Sequence, residues 1–459
     1  MREFPLIILL IRKDQIGEAN GDSNKLKAFR DENAGETRTC IAVVIGSCAP
    51  VVGGLVLACL VATANFCSAE PVDDAKSVAR ARLERIQSLR KERPRDGVLI
   101  FYEAITRIDL GDRDAAFALL RTLQGRKLGF VPVRDAGFEA VWDNPEFRKV
   151  REKLAEDEPR TPDAPVAFHL ADPKLIPEGI AYDPKQDRFL IGSVAQKKIV
   201  SANRKSEMKD FSKPEDNLDC VLGLFVDSAQ EQLYAVSTNG FLDEAQKQRR
   251  NGVVLYDLKN RLLVGRYDAP DASQLNDLTI AADGTFYATD SANGALFQIK
   301  PSEKMLTPVG AKGALPGANG ITLGPDESLY VAISTGIARI DLSTAAPTRL
   351  PQSDTVVTGG CDGLYWHRGD LVGIQNVTNP RRVIRIALAD QGKRISGVTV
   401  LQSHNHPEFT EPTAGAIAGD ALYVIANSYV GHFQPSASPK DPEQLKETAI
   451  VAVPLGSTR

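Results

Sequence analysis

The chain has no surplus of positive charge. Lys and Arg number 55 against 59 Asp and Glu, giving a formal net charge of −4 over 459 residues. A nucleic-acid binder normally shows a basic patch or surplus, and a polybasic membrane-surface protein needs one as well. Neither class fits. No GxSxG elbow is present, which removes the usual serine-hydrolase signature. No Gly-rich phosphate loop occurs. There is no CxxC pair and no Cys/His spacing of the kind that binds zinc. With 36 Gly and 27 Pro the chain is neither collagen-like nor of low complexity. The remainder, 43% hydrophobic and 25% charged, is ordinary globular composition in a chain long enough for more than one domain.

What is present begins with an address. Thr39 to Ala69 holds no charged residue, with Arg38 before it and Glu70 after it. A basic flank, an apolar run and the small-x-small end Cys67-Ser68-Ala69 read as a signal peptide cleaved near Ala69, for periplasmic location or secretion. A retained membrane anchor is the alternative, weakened by Pro50, Gly53 and Gly54 inside the run. Membrane contact is expected only if residues 39–69 are retained. No Met lies between Met1 and Met208, so a non-Met start within residues 1–38 is expected; N-terminal sequencing of the native protein checks it. Four of the six cysteines fall inside the run, leaving Cys220 and Cys361. These two sit in opposite parts of the repeat array described below, beyond the ~7 Å Cα separation a disulfide tolerates. Two unpaired thiols are expected.

Residues 70–158 read as a small helical unit. Apolar residues recur at Leu99, Ala104, Ile105 and Ile108. After a Leu-Gly-Asp turn they recur at Ala116, Phe117, Leu119, Leu120 and Leu123. That is the helical period on both sides of a turn. The pair resembles a tetratricopeptide-type hairpin, which cannot bury its faces alone. It should dock on the next domain or on a protein partner. Pro159, Pro162 and Pro165 then mark 159–166 as a linker.

From 167 to 459 the period changes to that of strands. Six copies of one pattern, an apolar strand, a turn with Asp or Gly and a second apolar strand, start at Glu178, Leu222, Asn276, Asn319, Asp362 and Thr413. This spacing suits four short antiparallel strands per copy. The fold class is therefore mainly β: a six-bladed β-propeller, preceded by the small α-helical unit. The first residue of each copy should lie at the mouth of the central tunnel. Four of these six, Glu178, Asn276, Asn319 and Asp362, carry side-chain oxygens suited to a cation. Converging carboxylates repel without one, and carboxylate with amide oxygen suits a hard ion. Ca²⁺ is the first choice, with Mg²⁺, Mn²⁺ and Zn²⁺ as alternatives. The other reading of each Asn-Gly or Asp-Gly is a strand-capping turn.

The segments PEGIAYDP around Glu178, LNDLTIAADG around Asn276, ANGITLGPDESLYV around Asn319 and CDGLYWHRGDL around Asp362 carry a resemblance. Over roughly residues 170–455 the chain resembles the senescence-marker-protein/gluconolactonase family of regucalcin-like and luciferin-regenerating-enzyme-like propellers. The resemblance implies a divalent metal held by Glu178, Asn319 and Asp362, with Asn276 as a fourth ligand or a substrate contact. It also implies Asp362 as the base that activates water toward a lactone or ester carbonyl. Gln274 stands where sugar-lactone hydrolases of that family often carry Arg, and the helical unit is an addition to the family pattern.

Asp277 is a weaker candidate, since alternation along a strand should point it away from the axis. Tyr365 and Trp366 are expected in the core. His404 and His406 lie before the sixth copy, either overhanging the mouth as substrate contacts or as plain loop residues. Three functional readings stand: an exported metal-dependent lactone or ester hydrolase, a non-catalytic propeller with a structural cation that binds a ligand or protein partner, and a strictosidine-synthase-like enzyme.

Overall fold

The computed structural model describes residues 71–158, 160–241, 250–376, 381–434 and 439–456. The extension and apolar run at 1–69 lie outside the described residues. No described helix is long and apolar enough to cross a membrane.

Four helices come first: α1 (Pro71–Glu92), α2 (Gly97–Asp109), α3 (Arg113–Arg121) and α4 (Pro145–Asp157). Asp96 starts α2 by accepting the Val98 and Leu99 amides, and Asn144 starts α4 with Pro145 at its first position. The turn between α2 and α3 is possible because Gly111 takes φ +85°. Leu99, Ala104, Ile105, Ile108, Ala116, Phe117, Leu120 and Leu123 are all buried in one core. In that core Phe101 stacks on Phe130 (4.7 Å between centroids) and Phe138 on Phe147 (5.2 Å). The core also takes in Val357 from far along the chain. The hairpin therefore covers part of its apolar surface with the following domain.

That domain is a six-bladed β-propeller, six four-stranded antiparallel sheets in sequence order. The innermost strands are Pro177–Asp183, Cys220–Asp227, Leu275–Ile280, Ile321–Leu323, Cys361–His367 and Gly415–Ala418. Side chains alternate between the two faces of each blade, and the apolar ones interlock with the next blade in a ring of small cores. The ring closes through Val166–Leu170, which joins the sixth sheet as its outermost strand beside Thr448–Pro454. The sequence copies start at Glu178 and leave this strand unassigned. Pairing the first strand with the last sheet ties the two ends of the ring and covers an edge.

The stretch read as a linker is pinned rather than free. Ala164 N donates to Gln402 Oε1 at 2.8 Å, and Ser403 N donates to Thr161 Oγ1 at 2.9 Å. Cys220 and Cys361 are both buried and unpaired.

Candidate functional site at the tunnel mouth

Four innermost strands carry an extra residue at their first turn of ladder. In the first blade Pro177 pairs with Ser193 and Gly179 with Gly192, leaving Glu178 unpaired. In the fifth, Cys361 pairs with Gln375 and Gly363 with Ile374, leaving Asp362 unpaired. The same irregularity falls between Val221 and Leu224 and between Leu275 and Leu278. A β-bulge re-aims the side chain it releases. It also breaks strict alternation, which is why the expectation for Asp277 fails. Asn276 and Asp277 share the bulge of the third blade, and Asp277 lines the tunnel.

The glycines that follow the mouth residues are not turn residues. A Cβ at Gly179 would stand 1.9 Å from Leu222 O of the next blade, and one at Gly320 would stand 2.6 Å from Asp362 O. Neighbouring inner strands approach too closely there for any side chain.

The bulges gather carboxylates. Glu178 is 8% exposed, and its carboxyl is pushed well above the ordinary range, first by burial and then by the charges of Asp362 and Asp277. Asp362 is pushed up to about 6. Burial raises it, hydrogen bonds from Asn376 and Asn319 oppose the rise, and Glu411 adds a like charge. Asp277 is pushed up to about 7 by burial, against two backbone hydrogen bonds and with the Asp362 charge adding to the rise. Among the described residues, none of Glu178, Asp277 and Asp362 forms a salt bridge with Lys or Arg.

The amides are oriented around this cluster. Asn319 Nδ2 donates to Asp362 Oδ1 at 2.6 Å, and Asn376 Nδ2 donates to Asp362 Oδ2. Asn276 Nδ2 donates to Ser291 Oγ at 2.9 Å, which in turn donates to Ala318 O at 2.6 Å. With their NH₂ groups so engaged, Asn276 and Asn319 keep their amide oxygens as the remaining polar atoms. Asp277 is tied down by its backbone partners, Leu278 N at 2.8 Å and Ile321 N at 3.2 Å. Below the mouth a cavity of about 220 Å³ touches all six inner strands, with Asp277 and Tyr365 in its wall. Tyr365 therefore borders the tunnel and accepts Gly415 N at 2.6 Å. Trp366 packs against Tyr330 with ring centroids 5.8 Å apart.

The six mouth positions do not act alike. Leu222 is buried among apolar neighbours. Thr413 is buried and donates to Glu178 O at 3.2 Å. The structure engages both ring nitrogens of His406: Nε2 lies 2.9 Å from Ala164 O and Nδ1 accepts Glu408 N at 3.1 Å, and the residue is 4% exposed. Its imidazole fastens the strap at 160–165. His404 Nδ1 is buried with no hydrogen-bond partner. Burial first, then Arg160 and Arg382, holds its pKa below the usual value. It thus sits beside the arginines under the helical unit.

Two residues of the cluster escaped the sequence comparison. Asn376 directly follows the second strand of its blade, Asp370–Gln375, and Glu411 lies two residues ahead of the sixth copy. The signal for Asn376 was present: second strands return to the mouth, and the six sequence copies close on the polar residues Ser193, Ser237, Asp290, Ser334, Asn376 and Ser428, at or near the ends of those strands.

The donor set fits a hard cation. It offers buried and half-buried carboxylates of like charge and the amide oxygens of asparagines whose NH₂ groups are engaged elsewhere, all oxygen. Among the described residues no three His, Cys, Asp or Glu side chains are grouped to hold a metal by themselves. Any cation here would depend on the asparagines.

No protein-family model matches the chain, and no curated protein does. Solved structures do. It is similar to a gluconolactonase from Xanthomonas campestris, at 16% identity over 62% of this chain and 89% of that one, with a TM-score of 0.42. It is similar to virginiamycin B lyase from Staphylococcus aureus, at 18% over 57% and 80%, TM-score 0.40. It is also similar to a PQQ-bound aldose sugar dehydrogenase from Streptomyces coelicolor, at 13% over 64% and 99%, TM-score 0.43. A lactonase, a lyase and a dehydrogenase are three chemistries, and likeness at this level selects none of them.

Proposed function

We propose that the protein is an exported, divalent-metal-dependent hydrolase of a lactone or related ester, acting at the tunnel mouth. The observation that carries this reading is the pairing of Glu178 with Asp362. They are two carboxylates of like charge, Glu178 buried and Asp362 half-buried. Burial and the Asp362 charge raise Glu178, burial and the Glu411 charge raise Asp362, and the amides of Asn319 and Asn376 hold Asp362. Glu178, Asn276, Asn319 and Asp362 would hold the ion. When bound, Ca²⁺ or a similar cation supplies Lewis acidity toward a carbonyl oxygen and acidity to a water molecule.

The chain's own residues do the rest. Asp362 takes the proton from the attacking water. Without the ion its carboxyl is pushed up to about 6, chiefly by burial. With the ion bound it stays ionised at neutral pH and accepts the proton through an oxygen not spent on the ion. Asn319 and Asn376 fix the plane of that carboxylate. Asn276 contacts the substrate or completes the cation shell. The charge-free run at 39–69 supports export to the periplasm or medium.

One observation favours a second reading, a propeller that binds a cation and a ligand without turnover. Both oxygens of Asp362 already accept amide hydrogen bonds, as a structural carboxylate would. The two readings separate in one assay. Protein stripped with chelator is tested on a panel of lactones and aryl esters with and without Ca²⁺, Mg²⁺, Mn²⁺ and Zn²⁺. Metal-dependent hydrolysis establishes the enzyme; cation binding with no turnover on any substrate selects the binding propeller.

A further inference from the structure

The helical unit meets the propeller at one place that matters to the site. The chain from the fourth blade to Asp362 runs through residues 350–361, on the face where Asp362 stands. Val357, in that connector, is 3% exposed and belongs to the helical core. Gln375, 1% exposed, donates Nε2 to Gly359 O at 2.8 Å and to Val357 O at 3.4 Å. Its Oε1 accepts Arg382 Nε at 2.7 Å. Arg382, 3% exposed, gives its remaining donors to the helical unit: Nη1 to both oxygens of Glu158 at 3.2 Å, and Nη2 to Leu128 O at 3.1 Å. The next residue after Gln375 is Asn376, whose amide holds Asp362. A Cβ at Gly129 would stand 2.0 Å from the Arg382 guanidinium, so the helical backbone closes directly over it.

This is an unbroken path. Glu158 at the end of α4 fixes Arg382, Arg382 fixes Gln375, and Gln375 fixes both the connector that delivers Asp362 and the strand end that bears Asn376. Arg382 spends each of its three nitrogens on a different partner, Nη1 on Glu158, Nη2 on Leu128 O and Nε on Gln375, so its planar guanidinium is fixed in position and orientation. The net value of the buried Arg382–Glu158 pair to stability is small or negative, because desolvation offsets attraction. Its value here is in placement.

We propose that the helical unit is a working part of the tunnel-mouth site, and that Glu158 and Arg382 are positioning residues for Asp362. The proposal rests on the reading of Asp362 as a cation ligand and base, and it makes the helical unit more than a docked appendage. Arg349–Asp96 attaches the unit ahead of the connector, and Arg95–Asp354 grips the connector near its start, away from the Gln375 contacts at Val357 and Gly359.

The test uses the full chain in three forms: wild type, Glu158→Gln and Leu154→Ala. Leu154 is a buried residue of the helical core that makes none of the path's hydrogen bonds, so its variant controls for destabilisation of the helical unit with Glu158 and Arg382 intact. Each form is stripped and titrated with Ca²⁺ by calorimetry well below its melting temperature. Hydrogen exchange is followed in the peptide spanning 357–364. Glu158→Gln should weaken Ca²⁺ binding about tenfold and speed exchange in that peptide. Leu154→Ala should stay within about twofold of wild type on both. Equal effects of the two variants, or a Glu158→Gln protein with wild-type affinity and exchange, would overturn the proposal. If wild type binds no Ca²⁺, the cation reading fails separately. The exchange result then decides alone: a faster 357–364 peptide in Glu158→Gln supports positioning, and an unchanged one refutes it.

Discussion

The second and fifth blades stand opposite one another and use the same backbone device to different ends. Each has a bulge at its mouth position. Each has a buried free cysteine beside it. In the fifth blade the bulged residue is Asp362, held by Asn319 and Asn376. In the second it is Leu222, closed into an apolar core. The connectors differ too. That of the fifth blade is gripped by the helical unit through Val357, whereas that of the second is pinned within the propeller by Asp219 and Arg250. Four of the six blades thus share the bulge, and what it presents differs from blade to blade; Asn319 reaches the site from a blade without one.

Asp362→Ala breaks the contrast from the active side, and turnover should fall by roughly 10³-fold, measured as metal-dependent kcat/KM on the best substrate. Leu222→Ala attacks the other blade. It should cost about 3 kcal/mol in denaturant unfolding while leaving Ca²⁺ affinity within about twofold. A comparable loss of affinity in Leu222→Ala would erase the distinction between the blades.

Glu178→Gln sharpens it. Removing a like charge should raise the melting temperature of the stripped protein, yet weaken Ca²⁺ about tenfold, on the scale of losing one charged ligand interaction. A gentler effect is pH dependence. Folded-state pKa values raised above the unfolded ones mean that the folded state binds more protons, so stability falls as pH rises. For Asp362 and Asp277 the window runs from about 4 to about 6 and about 7 respectively. Chelator-treated protein should lose stability across that range, and saturating Ca²⁺ should flatten the curve. A flat curve without cation would contradict the charge cluster.

The propeller was legible in the sequence because its repeat is written six times, with strand period and turn residues agreeing at each copy. The closing strand was not, since Val166–Leu170 pairs with a strand nearly three hundred residues away and has no local signature. Aligning the copies pointed to Glu178, Asn276, Asn319 and Asp362, and the structure brings Asn319 onto Asp362 and sets the charge of Glu178 against it. Asp277 was misjudged because alternation assumes an unbroken ladder, and a bulge cannot be seen in a single strand's sequence. What holds His406 was out of reach for a related reason: nothing in its loop reveals that Ala164, far back in the chain, will meet its ring nitrogen. Glu411 lies outside the repeat proper, where alignment of copies has no reach.

The central claim is a cation held at the tunnel mouth by Glu178 and Asp362. Calorimetric titration of the stripped full chain with Ca²⁺, beside Asp362→Ala, tests it most directly. The account predicts one ion bound per chain in the wild type, with proton release near neutral pH, and no binding at that site in the variant. Absence of binding in the wild type, or equal binding in both, would contradict it.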